Sequence, residues 1–540
     1  MKKLLGAALL VLGLMPGAAL AADTGACPRP DPGSDVTRPP DLYSENGVLN
    51  VTLNYYTAVD KFGRTLFCFV TDDGKESPTL HVNPGETINI ALTNQVPAIP
   101  GAATMRVTGG ADVCGSPDMT PTSVNMHFHG TNTSPTCHSD EVIRTLVNSG
   151  ESFNYALHIP ADEPPGLYWY HPHVHGISSV ALQGGATGAI EVEGIANVQP
   201  AVAGLPERYL VLRDQRLNAA SNAGTNDAKP VPNWDVSVNY VPINYGIYKP
   251  SVIRMQTGSQ EFWRVVNAGA NTIFDIKVLY DGKAQPLKVV AYDGVPTGSK
   301  DGHHQGTIVT QKDLLLPPSS RAEFIVDAPA SASTKAQLIT ENIDGGPDAD
   351  SNPARPLADI VASAAPAGLP ATPAATGPSR KLRFEDLANA KVTTERLLYF
   401  SEKRPPIARE LENTVFFITV DGQQEKPYSP DNPPAIVTNR GAVEEWTIQN
   451  RTAEVHEFHM HQIHFLVEAI DGVEIPKKKQ QLYDVFQIPY WTGQGDFPSI
   501  KVKMDFRGPT TGDFVYHCHI LDHEDMGMMA IIRVLPNHGG

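Results

Sequence analysis

The chain has 540 residues, and its formal net charge at pH 7 is −17. This length exceeds what one hydrophobic core can hold and predicts about three domains. Basic residues do not cluster, and Lys477-Lys478-Lys479 is an isolated triplet. Without a basic surface to displace counterions from phosphates, binding to nucleic acid is not expected.

Residues 1–21 have the pattern of a signal peptide. Lys2 and Lys3 precede an apolar run from Leu4 to Leu14, and Ala19-Leu20-Ala21 resembles a cleavage site with small residues. The run is too short to span a bilayer, and no later stretch has the apolar length of a transmembrane helix. We therefore expect an exported protein, periplasmic or secreted, with no membrane span.

Four of the five cysteines lie in the N-terminal quarter of the chain: Cys27, Cys68, Cys114 and Cys137. An even number in an exported protein predicts two disulfides, for which the sequence allows three pairings. Proximity along the chain favours Cys114 with Cys137. The fifth cysteine, Cys518, is treated below as a metal ligand.

Short β-branched runs separated by many of the 46 prolines and 45 glycines predict an all-β fold. We place the first domain at residues 45–195, the second at 205–361 and the third at 381–540. Residues 362–380 consist almost wholly of Ala, Pro, Ser, Gly and Thr. Such a composition cannot bury a core and predicts an extended, mobile linker.

An internal repeat relates the three domains. Three strand-like segments each end in asparagine: Thr87–Asn94, Phe262–Asn267 and Glu445–Asn450. The third copy leads into a histidine cluster, whereas the second is followed by Ile273-Phe274-Asp275-Ile276. The middle domain is therefore predicted to be a copy that carries no metal.

Four His-x-His units mark the first and third domains: His127-Phe128-His129, His171-Pro172-His173, His459-Met460-His461 and His517-Cys518-His519. On a strand, residues i and i+2 share a face, so each unit can direct two imidazoles into one space. Neutral imidazoles without carboxylates favour copper over magnesium or calcium. Eight imidazoles are too many for one ion and suit a cluster of several.

The stretch from Tyr516 to Met529 combines a thiol, three imidazoles and a thioether. This is the ligand set of a blue copper centre: Cys518, His523 five residues later and Met528 after a further five. Asp513–Tyr516 reads as a strand, on which successive side chains point to opposite faces. Cys518 would then face one metal site while His517 and His519 face another.

Together these motifs resemble the four copper-binding motifs of the multicopper oxidases. The matching residues are His127-Phe128-His129-Gly130, His171-Pro172-His173, His456-x-x-His459-x-His461 and His517-Cys518-His519-x-x-x-His523-x-x-x-x-Met528. The resemblance implies three cupredoxin-like Greek-key β-sandwich domains with copper ligands in the first and last. It also implies one-electron oxidation of a donor at a type 1 copper and reduction of dioxygen to water at a trinuclear cluster.

The resemblance further implies four copper ions with assigned ligands. The type 1 ligands would be His456, Cys518 and His523, with Met528 as the weak axial partner. The type 2 copper would take His127 and His459. The type 3 pair would take His129, His171, His173, His461, His517 and His519. An axial thioether predicts a moderate reduction potential.

Reduction of dioxygen consumes protons, so carboxyl groups are expected beside the cluster. Glu524 and Asp140 resemble the family's proton-relay acids. The loop before Asp140 is longer than in the relatives, which leaves Glu141 as an alternative.

His175 and His464 lie just outside the motifs and are predicted to be second-sphere or surface residues. Glu457 stands where many relatives have proline.

The electron donor is less defined by the sequence. Cuprous oxidases of the family often carry a methionine-rich segment over the type 1 copper, and none of the 11 methionines forms such a run. Phenols and aromatic amines are therefore favoured as donors, with oxidation of cuprous, ferrous or manganous ions as the alternative. A non-enzymatic copper-sequestering protein is a further alternative, against which the full set of motifs argues.

Overall fold

The computed structural model describes residues 25–107, 114–217, 231–302, 304–375, 383–405 and 413–537. The proposed signal peptide and His538 lie outside these ranges. The chain forms three cupredoxin-like β-sandwich domains, which confirms the predicted all-β fold. Within the described ranges, none of the helices has the length and apolar character needed to cross a bilayer.

The first domain packs two sheets face to face. Its strands are β1 Asp41–Tyr43, β2 Val48–Val59, β3 Thr65–Thr71, β4 Thr79–Val82, β5 Thr87–Asn94, β6 Met105–Arg106, β7 Asp118–Met119, β8 His127–His129, β9 Ser152–His158, β10 Gly166–His171 and β11 Gly188–Val192. The sheet orders are β1-β4-β11-β10-β8 and β3-β2-β5-β9, and β6 pairs with β7. Two short helices, α1 Ser178–Gln183 and α2 Ile195–Val198, and a 3-10 turn at Pro200–Val202 complete it.

The middle domain is a second sandwich. Its strands are β12 Glu207–Arg216, β13 Trp234–Val238, β14 Val241–Ile243, β15 Ser251–Gln256, β16 Gln260–Asn267, β17 Phe274–Tyr280, β18 Lys283–Ala284, β19 Leu287–Tyr292, β20 Val295–Pro296, β21 Val309–Gln311, β22 Leu314–Leu316, β23 Arg321–Asp327, β24 Ala336–Thr340 and β25 Arg355–Ser363. One sheet has the order β14-β13-β12-β16-β23-β19-β20 and the other β15-β25-β24-β17-β18.

The third domain repeats the architecture. Its strands are β26 Thr394–Lys403, β27 Val415–Val420, β28 Ile436–Asn439, β29 Val443–Asn450, β30 His456–Met460, β31 Phe465–Ile470, β32 Val473–Glu474, β33 Leu482–Tyr483, β34 Val485–Ile488, β35 Ser499–Asp505, β36 Gly512–Cys518 and β37 Met529–Leu535. Helix α3 spans Leu521–Asp525, and 3-10 turns span Leu387–Asn389 and Lys477–Lys479. The sheets are β27-β26-β29-β35-β31-β32 and β28-β37-β36-β30-β34.

The predicted repeat corresponds to one strand in each domain: β5, β16 and β29. Each ends in a fully buried asparagine, Asn94, Asn267 or Asn450. In each, the side-chain amide donates to main-chain carbonyls, and the side-chain oxygen accepts the N–H two residues later at 3.0 Å. The asparagine thus closes the turn that leaves the strand and satisfies buried backbone groups.

The described part of the predicted linker is paired with the middle domain. Ala362 and Ser363 belong to β25, because they pair with β15. Further on, Ala371 forms a bridge to Pro206, and Thr372 exchanges hydrogen bonds with the 204–205 segment. The strand therefore runs two residues into the predicted linker, since register with a partner strand, rather than composition, sets its end.

Both predicted disulfides are present. Cys114 is bonded to Cys137 and Cys27 to Cys68, with Cα separations of 5.6 and 5.9 Å. This confirms the favoured pairing, and the buried Cys518 is left as the free thiol.

One small apolar cluster joins all three domains. Trp169 of the first domain, Val266 of the middle domain and Leu521 of the third pack together in it. The Leu521 N–H also donates to the main-chain oxygen of Ala270. The middle domain therefore helps to fix the start of α3, the helix that carries His523.

Candidate metal centres

Cys518 forms a compact triad with His456 and His523. The Cys518 Sγ lies 3.6 Å from His456 Nδ1 and 3.8 Å from His523 Nδ1, and the two nitrogens are 3.1 Å apart. These separations are those of three ligands around one ion with bonds of about 2.0–2.3 Å. The donor set fits a blue copper site of two imidazoles and one thiolate.

The triad is buried, and neighbouring residues orient its members. His456 Nε2 is hydrogen-bonded to Thr452 Oγ1 at 2.9 Å, which leaves Nδ1 for the triad. The main-chain N–H of Glu457 donates to Cys518 Sγ at 3.4 Å. Burial raises the pKa of Cys518 well above its usual value. Met528 is fully buried in the same apolar cluster as Cys518. A bound cation would have to stabilise the thiolate in this environment.

The strand containing Cys518 separates two sites, as the alternation of side chains predicts. On β36, Cys518 faces the triad, whereas its neighbour His517 pairs with His459 of β30 and faces the opposite side. The Nε2 atom of His517 lies 3.1 Å from His461 Nε2 and 3.4 Å from His173 Nε2. One strand thus contributes directly to two groups of buried donors.

The eight His-x-His rings converge at the junction of the first and third domains, and all are buried. His127 stacks on His461 with ring centroids 3.8 Å apart, and His129 stacks on His459 at 4.1 Å. Several triplets bring their donor atoms within 4.8 Å of one another: His173, His461 and His517; His129, His459 and His519; His127, His129 and His171; and His127, His459 and His461.

The hydrogen bonds of these rings fit a metal cluster. His127 Nδ1 bonds to Asp140, His171 Nδ1 donates to the Pro172 carbonyl and His459 Nδ1 donates to the Asp484 carbonyl. The Nε2 atoms of the same three rings are buried, and no hydrogen-bond partner for them exists in the described ranges. Because an unpaired buried nitrogen is costly, these atoms fit metal ligation.

The cluster disfavours protonated histidine. Burial, followed by repulsion from neighbouring rings, lowers the pKa of His173, His459 and His461 well below the usual value. Burial lowers the pKa of His517 to about 3. These four rings therefore favour the neutral form, which is the form that binds metal.

The two predicted relay acids both touch the cluster. Asp140 Oδ1 accepts from His127 Nδ1 at 2.9 Å and from the Phe128 N–H at 3.0 Å. Glu141 instead accepts main-chain N–H groups of its own loop and does not replace Asp140. Glu524 lies 3.1 Å from His517 Nδ1 and 3.7 Å from His173 Nδ1. Burial raises the pKa of Glu524 well above its usual value, which favours the protonated carboxyl.

Three residues beside the site were not identified from the sequence. Gln462 donates to Asp140 Oδ2 at 2.8 Å, Asp484 contacts His129 and His459, and Glu454 Oε2 lies 3.7 Å from His523 Nε2. Gln462 and Glu454 flank metal motifs, which was an available signal. Asp484 lies in no motif.

The two histidines just outside the motifs have other partners. His464 is buried and bonded to the Asp293 carbonyl, and His175 packs edge-on against Tyr428.

A cavity of about 350 Å³ opens beside His523. Its lining includes Asp348, Asp350, Glu454 and Asp522, with Arg404 as the basic residue. Burial and then nearby carboxylates raise the pKa of Asp350 to about 6. Burial and then Glu402 raise the pKa of Glu454 to about 9. The cavity therefore gives an acidic approach to the Cys518 triad.

Comparisons with known proteins agree with this arrangement. Two family profiles described as multicopper oxidase match residues 116–196 and 402–538. The multicopper oxidase mco of Staphylococcus haemolyticus is 21% identical and covers 91% of this chain and 89% of its own length. A laccase of Haloferax volcanii is 24% identical over 75% of this chain and 66% of its own.

Solved structures show the same fold. A multicopper oxidase from Campylobacter jejuni, described as a metallo-oxidase, superposes with a TM-score of 0.65 at 20% identity. The match covers 96% of this chain and 98% of that protein. The two parts of the chain that contain the histidine motifs match the multicopper oxidase family. The multicopper oxidases and laccases that the chain resembles are oxidoreductases that use dioxygen as electron acceptor.

Proposed function

We propose that the chain is an exported enzyme that couples one-electron oxidation of a small donor to four-electron reduction of dioxygen to water. The observation that carries this proposal is the Cys518 strand, which borders the triad on one face and the histidine cluster on the other. The type 1 site would be held by His456, Cys518, His523 and the axial Met528. The trinuclear site would be held by His127, His129, His171, His173, His459, His461, His517 and His519.

Copper bound at these two sites would supply one-electron redox chemistry and the binding of dioxygen. The chain itself supplies the connection between them. His517 and His519 are covalently joined to Cys518 and reach the cluster side. A single peptide unit on either side therefore links Cys518 on the donor face to a histidine of the cluster.

Glu524 and Asp140 provide the protons in this proposal. Glu524 holds its proton at a buried carboxyl within reach of His517 and His173, where dioxygen reduction would consume it. Asp140 is oriented by three donors: His127 Nδ1, the Phe128 N–H and the Gln462 amide. A storage protein would need copper ligands but neither of these acids, which favours an enzyme.

The acidic cavity beside His523 favours positively charged donors. Three aspartates line it beside Arg404, and Glu454, which is protonated at neutral pH while the cavity is empty, can ionise when a cation enters. Within the phenol and aromatic-amine class, this favours aromatic amines that also carry a permanent positive charge, such as a quaternary ammonium group. It also supports oxidation of metal ions as a second candidate function, because carboxylate oxygens bind divalent cations.

Oxygen uptake by the copper-loaded protein tests the function. The donor panel consists of a neutral phenol, an aromatic diamine that carries a quaternary ammonium group, and cuprous, ferrous and manganous ions. We expect uptake with the diamine to exceed uptake with the phenol. Uptake driven only by a metal ion would establish the second candidate. No uptake with any donor would reject the enzymatic proposal and support copper storage.

Export is tested separately by locating the protein in its cell. The Lys-Lys start, apolar run and small residues before position 22 predict removal of residues 1–21. We expect N-terminal sequencing of protein from outside the cytoplasm to begin at Ala22. Full-length protein confined to the cytoplasm would reject this part of the proposal.

A further inference from the structure

Asp484 lies between β33 and β34 and contacts residues of all three domains. It is fully buried. Its Oδ1 atom is 3.3 Å from His129 Nε2 in the first domain and 2.7 Å from Arg321 Nη1 in the middle domain. Its main-chain oxygen accepts from His459 Nδ1 in the third domain at 2.7 Å. The three domains therefore meet at this one residue.

On the cluster side, Asp484 fixes the orientation of two rings. It engages His129 through Nε2 and His459 through Nδ1. The opposite nitrogens, His129 Nδ1 and His459 Nε2, are buried without a hydrogen-bond partner among the residues that the structure describes. A partner on one nitrogen of a ring determines which nitrogen is left for the metal.

On the other side, Asp484 is held by Arg321 of the middle domain. The guanidinium grips both carboxylate oxygens, at 2.7 and 2.5 Å, in a bidentate pair. Arg321 Nε also donates to the Leu167 carbonyl at 3.2 Å, and this second contact restricts the orientation of the guanidinium. Asp293 accepts the Arg321 N–H at 2.9 Å and the Asp484 N–H at 3.3 Å. The fork geometry is specific to arginine.

The glycine of the first histidine motif makes room for this pair. Gly130 follows His129 with φ of +85°, and a Cβ there would overlap both the Arg321 guanidinium and the Asp484 carboxylate. The close approach of the ion pair to the His129 segment therefore requires glycine at this position.

We propose that Arg321 and Asp484 are positioning residues of the histidine cluster, so that the middle domain supports copper binding although it supplies no ligand. The inference rests on the proposed function. Arg321 holds the Asp484 carboxylate, which in turn holds His129, and the Asp484 backbone holds His459. Docking of the middle domain and loading of the cluster are thereby coupled.

The test compares two double variants that each remove a buried bidentate pair. Arg321→Met/Asp484→Asn removes the proposed support, while Asp293, which lies 3.6 Å from Arg321 Nη1 in the wild type, keeps the main-chain N–H groups of residues 321 and 484 as donors. Arg208→Met/Glu261→Gln is the matched control: this middle-domain pair is also buried and bidentate, at 2.8 and 3.0 Å, and contacts no cluster histidine in the described ranges. Copper per folded chain is measured by metal analysis, and the blue absorption of the Cys518 site serves as an internal reference.

We expect the Arg321/Asp484 variant to bind cluster copper about 10–100-fold more weakly while it keeps the blue absorption. The control should retain both. Arg321→Lys, which keeps the charge but loses the fork, should show a smaller loss of cluster copper. The rise in melting temperature that copper causes provides a second readout. In the Arg321/Asp484 variant this rise should lose most of the part that comes from copper bound at the cluster.

Two results would overturn the proposal. One is that the Arg321/Asp484 variant binds as much copper at the cluster, and as tightly, as the wild type does. The other is equal loss in the Arg208/Glu261 control, which would make the effect one of general domain docking. Failure of the proposed function itself is distinguishable, because the wild-type protein would then lack cluster copper before any substitution is made.

Discussion

Cys518 and its two histidine neighbours show how three consecutive residues serve two sites. Strand alternation places the thiol in the triad with His456 and His523, and places His517 against His173 and His461. The arrangement needs no unusual backbone. It needs only that soft ligands alternate along a buried strand, which is why a short motif is so informative here.

Replacing Cys518 by serine removes the thiolate that gives a blue copper site its colour. We expect the visible absorption band to disappear while the eight histidines keep their copper. Absorption spectra and metal analysis of the purified protein check this. As a control for general loss of a sulfur, Cys27→Ser/Cys68→Ser should keep the colour. Unchanged absorption in Cys518→Ser would contradict the assignment.

Glu454 provides the residue-scale test of donor charge. Glutamine at this position cannot ionise when a cation enters the cavity beside His523. We expect Glu454→Gln to raise the KM for an aromatic diamine that carries a quaternary ammonium group by roughly fivefold, about 1 kcal/mol, with little change for a neutral phenol. Steady-state kinetics with both donors measure it. Glu445→Gln, which alters an acid paired with Lys501 outside the cavity, is the control.

Among the elements, the strands that end in asparagine link the fold to the site. Asn450 closes the turn after β29, and Thr452 in that turn bonds both to Asn450 and to His456 Nε2. The orientation of a proposed copper ligand therefore depends on a turn that all three domains share. In the middle domain, the same turn at Asn267 leads to no histidine.

The turns after Asn450 and Asn267 allow the effect on stability to be separated from the effect on metal binding. Asn450→Ala and Asn267→Ala each remove several buried hydrogen bonds, so both should lower the free energy of unfolding by about 2–4 kcal/mol. Only Asn450→Ala should also weaken the blue copper site. Denaturant unfolding and copper-loaded absorption spectra measure the two effects. Equal loss of colour in both variants would show that the turn has no special role at His456.

The elements and the candidate ligands could be predicted because their signals are local. The repeated strands, the His-x-His units and Cys114 with Cys137 are each defined by residues close in sequence. Asp484, Arg321 and Glu454 were not predicted as site residues, because their roles depend on contacts between distant segments. Arg321 lies in a domain with no ligand, and only domain packing brings its guanidinium to Asp484.

For the whole molecule, buried charges hold the domains together. Arg264 of the middle domain is fully buried and pairs with Glu207 and Glu323 of its own domain and with Glu191 of the first. Next to this group, His81 bonds to Asp41 and Glu193 at 2.9 Å. No motif around His81 indicated its partners, because Glu193 and Asp41 approach it only through strand pairing.

His81 predicts a pH dependence of stability. Burial opposes its charge, but the hydrogen bonds to Asp41 and Glu193 prevail and raise its pKa to about 9. A pKa above the unfolded value of about 6.5 stabilises the fold fully below pH 6.5, and this stabilisation is lost as the pH rises through 9. The contribution is at most about 3 kcal/mol.

Unfolding experiments with wild type and His81→Gln between pH 6 and pH 10 test this prediction. We expect the wild type to be more stable at pH 6, and the difference to shrink as the pH approaches 10. A difference that stays constant over this range would contradict protonation of His81 in the folded protein.

The measurement that tests the central claim most directly is the ratio of donor oxidised to dioxygen consumed. Two linked copper centres that reduce dioxygen fully to water predict four molecules of a one-electron donor for each dioxygen, without hydrogen peroxide. An oxygen electrode, donor absorbance and a peroxide assay give this ratio in a single reaction. A ratio of two with accumulating peroxide would contradict the account, because it would mean that the histidine cluster does not complete the reduction.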